Sequence, residues 1–360
     1  MNAIKLYGKQ NSSYEYIKMM IKRFAKKSNI DFAIQEEHDP ENFVKDEISI
    51  IPAVKIGSDT FYYRSDDNIN SFIKTVNKNI ISRFKLGPFK HFLVPIDYSD
   101  TSLNSVDYAL SLAKETGAIV TIIHCYTPHA SDLPVMDYQD MMANNKELFE
   151  SIVEVFESEH KVKDVNAPII NTEFVVGFAG DTIIERAKEL NATIVMGTTG
   201  AGNALKKIFG SVSAKVINQS EQPIIIVPSD GVFEGLNEVA YATDDLEVDT
   251  KAMPQVIDLV KCSYPRINLV HIYKPGDNKI DFDLFEIYKT NYPKSLVKKN
   301  NIENENIADG LNNFVTSNEI DLLVMTHIKK NVLEKIFKKS QSQEVAITST
   351  TPVLILHQAR

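Results

Sequence analysis

The sequence has few cysteines, no tryptophan and no long apolar run. Two cysteines, Cys125 and Cys262, exclude a disulfide framework and a cysteine-rich metal site. No apolar stretch approaches the roughly 20 residues that a membrane-spanning helix needs. The first residues, MNAIKLYGKQ, lack the basic-then-apolar order of a signal peptide. These absences predict a reduced, cytoplasmic protein that does not interact with membranes and has no metal site of its own.

The charge balance argues against nucleic acid as a partner. The chain has 39 basic and 48 acidic residues, which give a net charge of −9. Because a phosphate backbone is bound by concentrated lysine and arginine, an acidic chain with dispersed lysines is a poor candidate for that role. The length of 360 residues predicts two or three domains.

Two stretches of the chain resemble each other in the order and spacing of their strand-like runs. The run HFLVPI ends at Asp97, and the run VAYAT ends at Asp244. In each case a histidine follows 27 positions later, at His124 and His271, where it closes a second apolar run. Matched spacings between stretches of such different sequence indicate an internal duplication.

A second matched spacing supports the duplication. Gly197 follows the run TIVM and lies 26 positions before Pro223, and Thr326 follows LLVM and lies 26 positions before Pro352. We therefore predict a duplicated domain after an unrelated N-terminal domain. The predicted domains are 1–86, 88–232 and 236–360.

Within each copy, short runs of valine, isoleucine and leucine alternate with amphipathic helical stretches, which predicts a parallel α/β sheet covered by helices on both faces. In the first copy, apolar residues recur at three- and four-residue steps in four segments. These predicted helices are Leu103–Glu115, Met141–Lys161, Thr182–Leu190 and Val212–Gln219.

Residues 1–86 have a different order of predicted elements. They comprise a strand at AIKLYG, a helix over Ser13–Lys27, strands at DFAIQE, AVKI and FYYR, and a helix over Asn68–Ser82. This order, with Pro52 just before AVKI, resembles the thioredoxin/glutaredoxin fold, in which that proline is cis. Ser12 and Glu15 stand where that family has its two thiols, so the resemblance implies a redox-inactive interaction or packing module.

A glycine-containing segment in the first copy has the features of a phosphate site. Gly197 and Gly200 follow a buried strand and, as glycines, are expected to allow unusual backbone angles and close approach of an anion to backbone N–H groups. Gly210 then opens a helix whose free N–H groups and dipole favour phosphate, and the hydroxyls of Ser211 and Ser213 add donors. The alternative is that these glycines merely turn the chain.

The pattern Gly197-x2-Gly200-x9-Gly210-Ser211 resembles the ATP-binding signature of universal stress proteins, and the resemblance extends over about 270 residues as a tandem pair. It implies two Rossmann-like domains, each a five-stranded parallel sheet of order 3-2-1-4-5, after the small thioredoxin-like domain. It also implies that nucleotide binds where the loops after strands 1 and 4 face each other, which is a topological switch point.

The resemblance assigns the site residue by residue. It places the adenosine end at Pro95, Ile96 and Asp97, and it places Cys125 near the adenine as a small apolar wall residue. Asp97 has a competing interpretation as a turn former or helix cap. The full implied set is Pro95, Ile96, Asp97, Cys125, Met196, Gly197, Gly200, Gly210, Ser211, Val212 and Ser213.

The second copy has lost the signature. Thr326, Lys329 and Lys339 align with the three glycines, and only Ser340 and Ser342 remain of the phosphate contacts. We expect this copy to be a structural or regulatory partner that pairs with the first through the last strands, PIIIVP and PVLIL, as an intramolecular pseudo-dimer. Its histidine, like His124, is expected to have a structural role.

These features predict a universal stress protein that binds ATP, ADP or AMP, with or without Mg²⁺, in the first copy. We expect a stress-response sensor or regulator, at most a slow ATPase, because no catalytic base accompanies the glycines. Further predicted partners are a second copy of the chain as a homodimer and an unidentified protein for the N-terminal domain. The alternative is a nucleotide-free interaction or scaffold protein.

Overall fold

The computed structural model describes residues 3–27, 32–84, 87–127, 135–161, 168–198, 210–244, 246–282, 292–326 and 351–357. The chain divides into two compact units, Met1–Leu86 and Gly87–Arg360. None of the described helices is both long and apolar enough to cross a lipid bilayer.

The N-terminal unit is a four-stranded mixed sheet with three helices. Its strand order is β2-β1-β3-β4, with β1 parallel to β2 and antiparallel to β3. The Ile51–Pro52 peptide bond is cis. The short helix α2 was not predicted from the sequence; it begins with proline after the capping carboxylate of Asp39, which accepts from the N–H of Glu41. The elements are β1 (Ala3–Tyr7), α1 (Ser12–Lys27), β2 (Ala33–Glu37), α2 (Pro40–Lys45), β3 (Ala53–Ile56), β4 (Asp59–Tyr62) and α3 (Ile69–Phe84).

The first half of the second unit alternates strands with helices. Its five strands have the order β7-β6-β5-β8-β9, and all neighbours are parallel. All four helices predicted here are present, beginning one to six residues earlier than predicted. The elements are β5 (His91–Ile96), α4 (Asp100–Thr116), β6 (Ile119–Tyr126), α5 (Val135–Lys161), β7 (Ile169–Val176), α6 (Ala179–Leu190), β8 (Thr193–Gly197), α7 (Ser211–Gln219) and β9 (Ile224–Val227).

The second half has the same relative strand order, β12-β11-β10-β13-β14, again with parallel neighbours. Its described elements are β10 (Glu238–Ala242), α8 (Leu246–Val260), β11 (Arg266–Tyr273), β12 (Val297–Glu303), α9 (Ile307–Ser317), β13 (Leu322–Thr326) and β14 (Val353–Leu356).

The two halves share one ten-stranded sheet, because β14 pairs with β9 in antiparallel orientation. The expectation of purely parallel sheets is therefore wrong for the sheet as a whole, which is mixed. The pairing has a simple physical reason. Both last strands are fully buried apolar runs, and each would otherwise present an unpaired edge to water.

Helices cover both faces of this sheet, which explains why its inner strands read as continuous apolar runs. Successive residues of β5 point to opposite faces. Val94 belongs to the hydrophobic cluster on one face, whereas Leu93 belongs to the cluster on the other. All strands of the first half are parallel, so their carboxyl ends meet at one edge, and the helices that follow them begin there.

Candidate functional site

A cavity of about 470 Å³ lies at the carboxyl ends of β5, β6 and β8. It is bounded by the first turns of α4, α6 and α7, which begin at the same edge of the sheet. We call it the strand-end cavity. Its lining residues are Pro95, Ile96, Asp97, Ser99, Thr101, Ser102, His124, Cys125, Ala179, Ile183, Met196, Gly197, Thr198, Gly210, Ser211, Val212 and Ser213.

Ten of the eleven residues proposed from the sequence line this cavity, and Gly200 lies outside the described residues. Their contact with a ligand stays a prediction. Seven lining residues were not proposed from the sequence. Thr198 lies inside the glycine motif, directly after Gly197. Ala179 and Ile183 belong to the first turns of α6, which follows β7, a strand of mixed polarity. The other residues not proposed for the site are Ser99, Thr101, Ser102 and His124.

Two helices point uncapped amino ends into the cavity. Neither the residue before α6, Phe178, nor the residue before α7, Gly210, caps its helix with a side chain. The first residues of both helices, Ala179 and Ser211, line the cavity. Because the first N–H groups of a helix have no partner within it and carry the positive end of its dipole, this end of the cavity favours an anion. No lysine or arginine is among the lining residues that the structure describes.

The remaining wall is apolar. Met196 and Ile183 are both buried and belong to the same hydrophobic cluster, against which Cys125 packs. Burial, with a smaller effect of Glu173, raises the pKa of the Cys125 thiol to about 11. The thiol is therefore protonated at neutral pH and acts as a small apolar surface rather than as a nucleophile. A ligand with an anionic group and an apolar ring would match the cavity, with its anion at the helix amino ends and its ring against the apolar wall.

Asp97 is the only carboxylate among the described residues that line the cavity. Its Oδ1 accepts from the Ser99 hydroxyl at 2.5 Å and from the Ser99 N–H at 3.1 Å. Partial burial raises its pKa, but these bonds and one involving Ser102 outweigh burial, so the pKa lies below its ordinary value. The carboxylate is charged at neutral pH. The turn-forming interpretation of Asp97 therefore holds for one oxygen, while the residue also faces the cavity.

Gly197 serves a purpose other than the one expected. Its φ is outside the left-handed region, so the expectation of an unusual backbone angle is wrong. A Cβ at this position would lie 2.4 Å from the carbonyl oxygen of Thr101, in the first turn of α4. A side chain here would collide with backbone. The glycine allows β8 and α4 to approach closely enough to form one wall.

His124 lines the cavity, and contacts with its neighbours fix the position of its ring. Its Nδ1 lies 2.9 Å from the carbonyl oxygen of Ile96, to which it donates, and its ring stacks on Tyr98 at 4.3 Å. In the second half, Nδ1 of His271 makes the same bond at 2.9 Å, to the carbonyl of Thr243. The repeated bond joins the carboxyl ends of the first two strands in both halves, as the predicted structural role requires.

We expect the burial of His124 to make the protein acid-sensitive. Burial lowers its pKa, against the smaller opposing effects of its bond to Ile96 and of Asp97. Below about pH 6.5 the unfolded chain therefore binds a proton that the folded chain does not. The free energy of unfolding consequently decreases as the pH is lowered. His124→Asn keeps a donor for Ile96 but cannot titrate. Its melting temperature should fall less than that of the wild type between about pH 7.5 and 5.5.

His271→Asn is the matched control, since it replaces the histidine that makes the same bond in the second half. Equal acid-induced losses of melting temperature in the wild type and in His124→Asn would contradict this account. Differential scanning fluorimetry across the pH range provides the measurement.

The second half has a segment at the position that corresponds to the glycine motif. Thr326 ends β13, and Lys329, Lys339, Ser340 and Ser342 lie outside the described residues. The loss of glycine therefore rests on the sequence.

Comparison with known proteins places the cavity within a recognised domain. Residues 88–228 match the model of the universal stress protein family. Universal stress protein MJ0531 of Methanocaldococcus jannaschii is 30% identical over 142 residues, which are 39% of this chain and 82% of that protein. Universal stress protein Sll1654 of Synechocystis sp. is 27% identical over 39% of this chain and 86% of its own length.

One solved structure extends the similarity of fold. The crystal structure of a universal stress protein from Archaeoglobus fulgidus covers 75% of this chain and 97% of its own, with a TM-score of 0.58 and 19% sequence identity. At this identity the match shows a shared α/β fold.

Proposed function

We propose that this chain, which belongs to the universal stress protein family, binds one adenine nucleotide in the strand-end cavity. The observation that carries the proposal is the convergence of two uncapped helix amino ends on one end of a cavity whose other wall is apolar. The volume of about 470 Å³ is in the range of small-molecule sites. ATP, ADP and AMP, with or without Mg²⁺, are the ligands that the glycine signature implies.

The phosphates belong at the amino end of α7. There Ser211, Val212 and Ser213 present N–H groups, and the two serines add hydroxyl donors. The base belongs against Met196 and Cys125, which form the apolar wall. In this arrangement the helix dipoles and N–H groups of the described residues neutralise phosphate charge, which suits reversible binding by a stress-response sensor or regulator.

Asp97 is proposed to accept a hydrogen bond from the nucleoside. Asp97→Asn keeps an oxygen for the turn with Ser99 but removes the charge. Adenosine, which lacks phosphate, should then bind about tenfold more weakly, since a hydrogen bond to a charged group contributes about 1.5 kcal/mol or more. Isothermal titration calorimetry measures the change. Asp100→Asn is the control, because Asp100 is adjacent and exposed but does not line the cavity. Equal adenosine affinities of the two variants would contradict the contact.

The direct test of the function starts from the purified protein. Denaturation and chromatography of the supernatant should release adenine nucleotide, and ATP with Mg²⁺ should raise the melting temperature of protein stripped of nucleotide. An empty protein that is not stabilised by ATP, ADP or AMP would overturn the proposal and would favour a nucleotide-free scaffold instead.

We further propose that residues 236–360 are a second, degenerate universal stress domain. The support is the identical relative strand order of the two halves and the repeated histidine bond. The antiparallel pairing of β9 with β14 makes the halves an intramolecular pseudo-dimer. The second domain then contributes structure or regulation while the first binds the ligand.

The N-terminal unit is proposed to be thioredoxin-like and redox-inactive. Its strand order and the position of Ser12 at the start of α1 support this assignment. A serine hydroxyl does not exchange with disulfides. The unit is therefore assigned an interaction or packing role.

A further inference from the structure

A second cavity, separate from the strand-end cavity, lies beside the segment that links the two halves. It has a volume of about 410 Å³ and is bounded by α4, by the linking segment after β9, by the end of α9 and by the residues that precede β13 and β14. We call it the linker cavity. Its lining residues are Tyr108, Asp230, Val232, Phe233, Glu234, Gly235, Val315, Thr316, Glu319, Ile320, Asp321, Thr351 and Pro352.

The charge of this cavity has one sign. Among the described lining residues four are acidic, namely Asp230, Glu234, Glu319 and Asp321, and none is lysine, arginine or histidine. The Asp321 carboxylate is fixed in place, because its Oδ2 accepts from the N–H groups of Asn237 and Glu238 at 2.7 and 2.8 Å. Carboxylates gathered without a cation among them favour a positively charged ligand.

An independent feature of the cavity points to a ligand. The Tyr108 side chain is only 3% exposed, and its hydroxyl has no hydrogen-bond partner among the described residues. Buried hydroxyls are normally paired, because an unpaired one raises the free energy of the folded state. The Tyr108 ring also packs edge-on against Phe233, at 5.4 Å between ring centres. A hydrogen-bond donor bound in the linker cavity would give the Tyr108 hydroxyl the partner that it lacks.

The walls between the acidic groups indicate what kind of cation fits. Val232, Ile320 and Pro352 supply apolar surface, and Phe233 adds to it. Among the described residues, no three carboxylate, imidazole or thiol side chains converge as in a metal site. Several carboxylates that share a cavity with apolar side chains match ammonium groups joined by methylene chains.

We propose that the linker cavity binds an aliphatic polyamine. The ammonium groups pair with the carboxylates, one of them donates to the Tyr108 hydroxyl, and the methylene chain packs on the apolar walls. Because the cavity is formed by the linking segment and both halves, an amine bound there stabilises the arrangement of the two halves. The proposal is independent of nucleotide binding.

Calorimetry with spermidine and putrescine on the full chain, at constant ionic strength, tests the proposal. The wild type should bind spermidine saturably. Tyr108→Phe and Glu319→Gln should each bind about tenfold more weakly, since each loses one charge-assisted hydrogen bond. Glu150→Gln, which removes an exposed carboxylate on α5 outside the cavity, should bind like the wild type.

Tyr108→Phe also separates the proposal from a merely structural role. Without amine it should be at least as stable as the wild type, because it removes an unpaired buried hydroxyl. With spermidine its melting temperature should rise less than that of the wild type. The absence of saturable binding, or equal spermidine affinities for Tyr108→Phe and Glu150→Gln, would overturn the proposal.

Discussion

Replacing Gly197 with alanine should lower the free energy of unfolding by about 2–3 kcal/mol, near the upper end of ordinary overpacking effects. The new Cβ would lie 2.4 Å from the carbonyl oxygen and 2.8 Å from the carbonyl carbon of Thr101. Neither atom belongs to a flexible side chain. Thr101 lies in the first turn of α4, which the Ser99 hydroxyl caps by accepting from the N–H of Ser102. Relief therefore requires β8 and α4 to separate.

That separation would also open the wall of the strand-end cavity, so nucleotide affinity should fall together with stability. Gly180→Ala provides a matched control, because the same change on α6 meets the Cδ of Lys215 at 2.7 Å rather than backbone. The lysine side chain can move, at the expense of an ion pair with Asp181 that is partly exposed and contributes little. Urea denaturation of both variants provides the measurement. A Gly197→Ala protein as stable as Gly180→Ala would show that the wall accommodates a Cβ.

Should Gly197→Ala be too unstable to purify, the soluble fraction that remains after lysates are heated to several temperatures still ranks it against Gly180→Ala, and a variant found only in the insoluble fraction counts as destabilised. The role assigned to Gly197 is thus testable whether or not nucleotide binds.

The fold was predictable from the sequence where burial is complete. The runs around β5 and β8 are continuously apolar because both of their faces are covered, and the helices α4 and α7 follow a regular apolar period. The strand-and-helix alternation and the paired spacings then indicate the topology. These signals arise from the chain itself and do not depend on distant contacts.

The edge strands were not predictable in this way. The outermost strands, β7 and β12, are IINTEFVV and VKKNNIE, and most of their residues are at least partly exposed. An edge strand has fewer neighbours to bury its side chains, so its sequence keeps polar residues and loses the apolar run that marks a strand. The helix after β7 was predicted from Thr182 onward, but its first residues and its position beside the cavity were not, so Ala179 and Ile183 were not proposed for the site.

Two features of the site depend on contacts that no local pattern encodes. The need for glycine at 197 comes from Thr101, which lies almost one hundred positions earlier, and a motif alone suggests a backbone angle instead. The second feature is the double role of Asp97. Turn former and ligand contact are compatible roles, because a carboxylate has two oxygens and Ser99 occupies only Oδ1.

Replacing Ser211 with aspartate should weaken ATP binding by about 10- to 100-fold without destabilising the fold. Ser211 is the first residue of α7 and lines the strand-end cavity. A negative charge about 4 Å from a phosphate oxygen would oppose binding by as much as about 4 kcal/mol at an effective dielectric constant of about 20. Exposure of Ser211 to solvent reduces that value. The same charge interacts favourably with the helix dipole, so the melting temperature of the free protein should stay equal or rise.

The affinities of Ser211→Asp for ATP, AMP and adenosine show whether the new charge repels phosphate. The loss of affinity should be largest for ATP, smaller for AMP and absent for adenosine, because only the phosphates meet the new charge. Ser211→Asn, which is nearly isosteric with the aspartate but neutral, should retain most of the ATP affinity. Titration calorimetry with the three ligands measures the gradient. An equal loss for adenosine and ATP would mean that the aspartate obstructs the cavity rather than repelling phosphate. An unchanged ATP affinity would mean that the phosphates do not lie at the amino end of α7.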